Sequence, residues 1–238
     1  MTRFTPSLLF CLLLSTTARA EPESAPSVRF PSIPAQARTT AGFVPKGWMI
    51  ESQSRGDLNG DGAVDQLLVL RMTNPRNNIT NSGLGTPQLD TNPRILVVAF
   101  AGRAANGYSL ALADHTLIPR HTNPVMDDPL ESAAIVKGAV QVSLVSWMSA
   151  GSWYTTQKKL TFRYQDGCFK LIGYDSTETR RNSGEVSAVS VNYQTKRMKI
   201  TKGTIENERE HVFWKTVRAS TPRCLSAVGD GLAFDPEK

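Results

Sequence analysis

Oxygen-bearing residues at every second position, with a glycine at the sixth, make residues 57–65 the stretch best suited to hold a cation. A glycine at Gly62 permits the sharp turn that such a loop needs. Calcium prefers a shell made only of oxygen ligands with a flexible coordination number, and this spacing lets one loop supply such a shell. The candidate ligands are Asp57, Asn59, Asp61, the Ala63 carbonyl and Asp65.

The loop departs from an EF-hand at its twelfth position, where Leu68 replaces the bidentate glutamate. The residues after Asp65 form an apolar run of β type, so we expect the loop to lead into a strand. It resembles the Asp-x-Asn-x-Asp-Gly-x-x-Asp loops of the FG-GAP and dockerin-like families. Without the glutamate, we expect an affinity in the range of about 10⁻⁴–10⁻³ M. The alternative is a polar turn that binds no metal.

A second candidate site is a short segment of small and aromatic residues that follows Trp147. It lies between two predicted strands, residues 139–147 and 155–164, so we expect it at a hairpin tip. Serine and glycine residues can enter a narrow cleft, and an exposed tyrosine is a rigid anchor for an interface. The candidate partner-binding residues are Ser149, Gly151, Ser152, Trp153 and Tyr154. The alternative is that Trp147 and Trp153 belong to the core and the small residues only make the turn.

The N-terminus has the pattern of an export signal, with Arg3, an apolar run over residues 8–14 and an Ala-x-Ala site that ends at Ala20. We therefore expect cleavage after Ala20 and an exported protein, periplasmic or secreted, without membrane insertion. Cleavage would remove two of the 27 Lys and Arg residues and none of the 21 Asp and Glu residues, which leaves a net charge of +4. No basic block of the kind that binds nucleic acid is present in the sequence.

Two cysteines, Cys168 and Cys224, remain after the predicted cleavage. In an exported protein an even number of cysteines favours a disulfide, which here would close a loop of about 57 residues. The alternative is two separate buried thiols. A zinc site is not indicated, because neither cysteine has a second ligand at zinc-site spacing.

Alternating apolar and polar residues predict a mainly β protein with one antiparallel domain, either propeller-like or a sandwich. The apolar run of residues 94–100 predicts a strand in the middle of a sheet. Asp166 and Gly167 predict a tight hairpin turn. The remaining segments have these predicted roles: a flexible arm rich in Pro, Ala and Ser over 21–42, a long mobile loop over 73–93, the β domain over 43–225, a tail over 226–238, and either a strand or a short helix at 212–214.

Taken together, residues 46–203 resemble the periplasmic inhibitors of i-type lysozymes and the related immunity proteins against peptidoglycan hydrolases. The shared features are the export signal, the 56–65 loop before a strand, the 149–154 loop, residues 162–164 and residues 171–174. The resemblance implies a calcium-binding protein that is not an enzyme, whose partner is a lysozyme-like glycoside hydrolase. It also implies that Ser152 contacts the catalytic carboxylates of that partner and that Tyr154 fills a sugar subsite.

The extra Ala150 leaves open whether Ser149 or Ser152 is inserted, and a charge of +4 favours a neutral or acidic target. A different interpretation is a carbohydrate-binding or adhesion module that stacks Trp147, Trp153 and Tyr154 on sugar rings. An enzyme is disfavoured, because the sequence around His115, His121 and His211 has neither a nucleophile elbow nor metal-ligand spacing.

Overall fold

Two antiparallel sheets face each other in this computed structural model, which describes residues 24–102, 107–217 and 223–237. The predicted signal peptide, residues 1–20, lies outside these ranges. The described residues form strands and short 3₁₀ turns. The arrangement is a β sandwich, which confirms the mainly β prediction.

The smaller sheet has five strands in the order β1-β7-β6-β3-β2, and a separate two-stranded hairpin, β4-β5, lies in one of its connections. The strands of this half are β1 (Gln36–Ala37), β2 (Trp48–Gly56), β3 (Asp65–Met72), β4 (Asn78–Thr80), β5 (Gln88–Asp90), β6 (Arg94–Ala101) and β7 (Tyr108–Asp114). Strand β6 lies between β3 and β7, as its continuous apolar run predicted.

The larger sheet has seven strands that follow one another in chain order, from β8 at one edge to β14 at the other. They are β8 (Leu130–Val136), β9 (Ala139–Ser146), β10 (Tyr154–Gln165), β11 (Cys168–Arg180), β12 (Glu185–Asn192), β13 (Arg197–Thr204) and β14 (Asn207–Thr216). Asp166 and Gly167 join β10 to β11 with φ values of 49° and 80°, which is the tight turn that the sequence predicted. Residues 212–214 belong to a strand, which decides between the two predicted alternatives.

The main core lies between the two sheets, because alternate residues of their central strands point inward. Leu67 and Val98 from the smaller sheet meet Leu144, Leu160 and Phe162 from the larger one, and all five are buried. This burial of apolar surface is the main stabilising contribution to the fold. Because side chains in a strand alternate between faces, β3 and β6 carry a second apolar row on their other face.

The segment predicted to be a flexible arm covers that second row. Phe30 and Ile33 pack against a cluster that contains Leu68, Leu70 and Val97, and β1 pairs with β7. The prediction of a flexible arm is therefore wrong for residues 24–42. Its Pro-rich composition does not show that β3 and β6 are apolar on both faces and need a cover.

The predicted mobile loop over 73–93 instead contains a 3₁₀ turn at Pro75–Asn77 and the β4-β5 hairpin. Ile79 and Leu89 are buried, and Asn77 donates a hydrogen bond of 3.0 Å to Asn92. The segment has defined structure because polar side chains pair within it.

The predicted tail is attached to the larger sheet. Lys158 Nζ donates hydrogen bonds to the carbonyls of Leu232 and Phe234, at 2.5 Å and 2.9 Å, and the ring of Phe234 lies 5.4 Å from that of Tyr174. Cys168 and Cys224 form the predicted disulfide, with their Cα atoms 5.8 Å apart. Residues 223–237 therefore pack on the domain.

Candidate functional site

The predicted cation loop, residues 57–65, connects β2 to β3. Gly60 and Gly62 have φ values of 79° and 83°, a conformation that favours glycine. The Asp57 carboxylate accepts hydrogen bonds from Gly60 N at 2.7 Å and from Gly62 N at 2.9 Å. These two hydrogen bonds lower the pKa of Asp57 below its ordinary value, and the bond from Gly62 has the larger effect.

The next two candidate ligands are also held by the backbone of their own loop. Asn59 Oδ1 accepts a hydrogen bond from Asp61 N at 3.0 Å, and Asp61 Oδ1 accepts one from Ala63 N at 2.8 Å. These local turns are typical of Asn and Asp side chains and give the loop a defined shape without an ion.

Asp65 has a different environment, because none of its surface is exposed. Its carboxylate accepts hydrogen bonds from Leu58 N at 2.8 Å and from Ala101 N at 2.9 Å, so it joins the start of the loop to the end of β6. Burial raises the pKa of Asp65, the two hydrogen bonds oppose that rise, and the negative charges of Asp61 and Asp57 add to it.

The donor types of this loop fit a hard cation, because all of them are oxygens. Their arrangement in this structure is turned toward backbone amides, and within the described ranges no three His, Cys, Asp or Glu side chains are grouped closely enough to hold a metal ion. Leu68, at the position of the EF-hand glutamate, is fully buried in the core. An ion at this loop would therefore need its last ligand from water or from another segment.

The predicted partner-binding loop connects β9 to β10, and its first half is attached to residues 123–127. Ser149 donates two hydrogen bonds to the Val125 carbonyl, from N at 2.8 Å and from Oγ at 3.2 Å. The Trp147 carbonyl accepts a bond of 3.0 Å from Asp127 N. Trp147 is half-buried, so the alternative prediction of a packed tryptophan holds in part for this residue.

Arg181 holds the second half of the loop. Its Nη2 donates hydrogen bonds to the carbonyls of Met148 and Ser152, at 2.6 Å and 2.5 Å, and its backbone N donates to the Trp153 carbonyl at 2.8 Å. Its guanidinium lies 5.0 Å from the centre of the Trp147 ring. Sequence reasoning missed Arg181, because the residue follows β11 and only the tertiary fold brings it to the loop.

The tip of the loop is exposed and carries two large rings. Trp153 and Tyr154 have 64% and 44% of their surface exposed, so Trp153 is not the core aromatic of the alternative prediction. Gly151 has a φ of 84°, which favours glycine at this turn. Ser152 Oγ accepts a hydrogen bond of 3.0 Å from Tyr154 N. Four of the five predicted partner-binding residues are therefore exposed, and Ser152 is half-buried.

The histidines lie on separate elements. His115 stacks on Phe30 with ring centres 4.2 Å apart, His121 Nε2 lies 2.7 Å from the Met126 carbonyl, and His211 belongs to β14. Arg94 is buried and pairs with the partly exposed carboxylates of Glu51 at 2.5 Å and Asp128 at 2.7 Å. The contacts of His115, His121 and Arg94 join separate segments of the chain.

Searches with this chain find no matching family model, no matching curated protein and no matching solved structure. The resemblance to lysozyme inhibitors therefore depends on the sequence motifs alone. In the part of the chain that the structure describes, no helix is long and apolar enough to cross a membrane. The disulfide is typical of an oxidising, exported compartment.

Proposed function

We propose that this protein is an exported, non-enzymatic inhibitor or immunity protein that blocks a lysozyme-like peptidoglycan hydrolase with its 149–154 loop. The observation that carries this proposal is the exposure of Trp153 and Tyr154 on a loop whose backbone is held by Arg181. A loop that is already ordered loses less conformational entropy on binding than a flexible one. The disulfide and the sequence pattern that ends at Ala20 support action in the periplasm or outside the cell.

The hydrogen bonds of the loop favour Ser152 as the inserted serine. The Ser149 hydroxyl donates to the Val125 carbonyl at 3.2 Å, whereas the Ser152 hydroxyl accepts from the Tyr154 amide and donates only a long bond of 3.5 Å to the Tyr154 carbonyl, which a stronger acceptor can replace. A catalytic carboxylate of the hydrolase is such an acceptor. Tyr154, next to it, would occupy a sugar subsite of the same cleft.

Calcium belongs to this proposal as a structural ion in the 57–65 loop. The loop lies at the start of β9, where a Cβ on Gly138 would be 3.3 Å from the Asp57 carbonyl, and the 149–154 loop follows the other end of β9. A strand of this length spans about 25 Å. Calcium would therefore act on the stability of the scaffold rather than touch the hydrolase.

The test is inhibition of a panel of lysozyme-like hydrolases by the exported protein, with Tyr154→Ala as the variant. We expect the variant to weaken inhibition by at least about 2 kcal/mol, or roughly 30-fold, without a change in melting temperature. Trp214→Ala is the matched control, since Trp214 is an aromatic residue of the same sheet with 56% exposure. Failure to inhibit any muramidase, or equal inhibition by the Tyr154→Ala variant, would contradict the proposal.

A second candidate function, a carbohydrate-binding module, is favoured by an open depression of about 780 Å³ beside Tyr154. Its other polar lining includes Arg180, Glu185, Lys202 and Asn207. Of the three predicted stacking rings, Trp147 is partly covered by Arg181, so only Trp153 and Tyr154 are available to a sugar. Retention of the pure protein on isolated peptidoglycan, with no hydrolase present, would favour this second function.

A further inference from the structure

Strand β14 is a long sheet edge with apolar side chains on both faces. Among the described residues it pairs only with β13, and it contains no proline. Val212, Phe213 and Trp214 have 45%, 51% and 56% of their surface exposed. Because successive side chains alternate, Phe213 projects on the side of the core and the other two project on the outer face. An edge of this kind is a template for pairing with another strand.

The opposite edge of the larger sheet is covered. Strand β8 lies against β2, where Ile135 N donates a hydrogen bond of 3.0 Å to Ser54 Oγ and where a Cβ on Gly56 would come within 2.7 Å of Ile135. In the smaller sheet, the edge strand β1 has only two residues. Strand β14 of a second copy is therefore the part of this fold best suited to pair with β14. Pairing between two identical strands requires a twofold axis.

We propose that β14 pairs antiparallel with β14 of a second copy, about a twofold axis at Phe213, and so joins the two larger sheets. A twofold axis perpendicular to the sheet keeps each side chain on its own face. Two residues can therefore be opposite each other only if their numbers are both odd or both even. Each Phe213 then faces its equivalent, and Val212 faces Trp214 of the second copy. The outer pairs are His211 with Lys215 and Glu210 with Thr216.

Charge favours this register over its neighbours. With the axis at Val212, Arg209 would face Lys215, and like charges directly opposite each other are destabilising. With the axis at Trp214, Phe213 would face Lys215 and its apolar pair would be lost. In the proposed register, Glu210 of the second copy also aligns with Thr216, which is opposite Arg197 in β13. The acidic and basic side chains of the two copies are then in one row on the outer face.

One pair of strands buries less surface than a standard protein interface, so we expect a weak, concentration-dependent dimer. Covalent capture reports such a dimer and its register together. The test uses the exported protein, whose two cysteines are already joined to each other, with single substitutions Phe213→Cys, Val212→Cys and Trp214→Cys under mild oxidation.

The Phe213→Cys variant should form a disulfide-linked dimer, because directly opposite Cα atoms are about 4.5–5.5 Å apart. In the same register, the equivalent atoms at position 212 or 214 are offset by two residues and about 8 Å apart, beyond the reach of a disulfide. Dominant crosslinking through Val212→Cys or Trp214→Cys would overturn the register. Absence of crosslinking in all three folded variants would overturn the dimer.

Analytical ultracentrifugation over two orders of magnitude in concentration gives an independent readout. Phe213→Lys places like charges opposite each other and should raise the dimer dissociation constant at least tenfold. Met49→Lys is the matched control, because Met49 has 50% exposure on another strand and should leave association unchanged. A strictly monomeric wild type would contradict the proposal, whatever the outcome of the hydrolase experiments.

Discussion

Replacement of Asp65 tests whether the 57–65 loop is held by its own hydrogen bonds or only by an ion. Asp65→Ala removes the acceptor for two backbone amides, Leu58 N and Ala101 N, at a site with no exposed surface. Each buried donor left unpaired costs about 1–3 kcal/mol, so the gross loss is about 2–6 kcal/mol. Removal of a buried carboxylate recovers part of this, and we expect a net loss of about 3 kcal/mol.

The assay is urea unfolding followed by circular dichroism, in a calcium chelator and again in millimolar calcium. Asp57→Ala is the matched control, because its amide partners lie in the exposed loop and can bond to water, so in chelator this variant should lose much less stability than Asp65→Ala. If calcium binds with the expected dissociation constant of about 10⁻⁴–10⁻³ M, 1 mM calcium stabilises wild type by about 0.4–1.4 kcal/mol, and both variants lose most of that gain.

The stability difference between the Asp65→Ala variant and wild type should change with pH in a defined direction. Because burial raises the pKa of Asp65 in the folded state above its ordinary value of 3.8, the folded state binds that proton more tightly. In chelator, the part of its stabilisation that depends on this proton is fully present below pH 3.8 and is lost as pH rises through the raised folded pKa, while the hydrogen bonds to Leu58 N and Ala101 N remain. Asp65→Ala should therefore cost more in acid than at neutral pH. An Asp65→Ala protein within about 0.5 kcal/mol of wild type in chelator would refute the structural role.

Two further predictions concern the scaffold and the loop. Cys224→Ser opens a disulfide loop of about 57 residues, so urea unfolding should show that the variant is about 4 kcal/mol less stable than wild type. Strong reductant should remove this difference, because it breaks the same disulfide in wild type. Arg181→Ala removes both side-chain hydrogen bonds to the 147–154 segment; hydrogen exchange there should accelerate while the unfolding free energy changes by less than about 1 kcal/mol. Unchanged exchange at Ser152–Tyr154 would show that Arg181 does not hold the loop.

Local sequence patterns were sufficient to predict much of the architecture. The alternation in β9 and β10, the continuous apolar run of β6 and the Asp166-Gly167 turn each predicted the element that the structure contains. These features depend on side-chain period and backbone conformation, which nearby residues determine. The cysteine pairing was predicted because only two cysteines remain after the expected cleavage. The order of chemistry-bearing residues in the 57–65 and 149–154 loops was likewise evident from the chain.

The sequence did not predict the contacts between segments that are far apart in the chain. Composition marked residues 21–42 as a flexible arm, yet Phe30 and Ile33 cover the second apolar face of the smaller sheet, a need that only sheet order reveals. Arg181 meets the loop from a different strand, and Asp65 faces the Ala101 amide because β3 and β6 are neighbours. The sequence by itself determined the central strands of both sheets, the Asp166-Gly167 turn and the candidate residues, but not β1 or the β4-β5 hairpin. Tertiary packing decided which surfaces are covered and which side chains hold each loop, because those contacts join residues far apart in the chain.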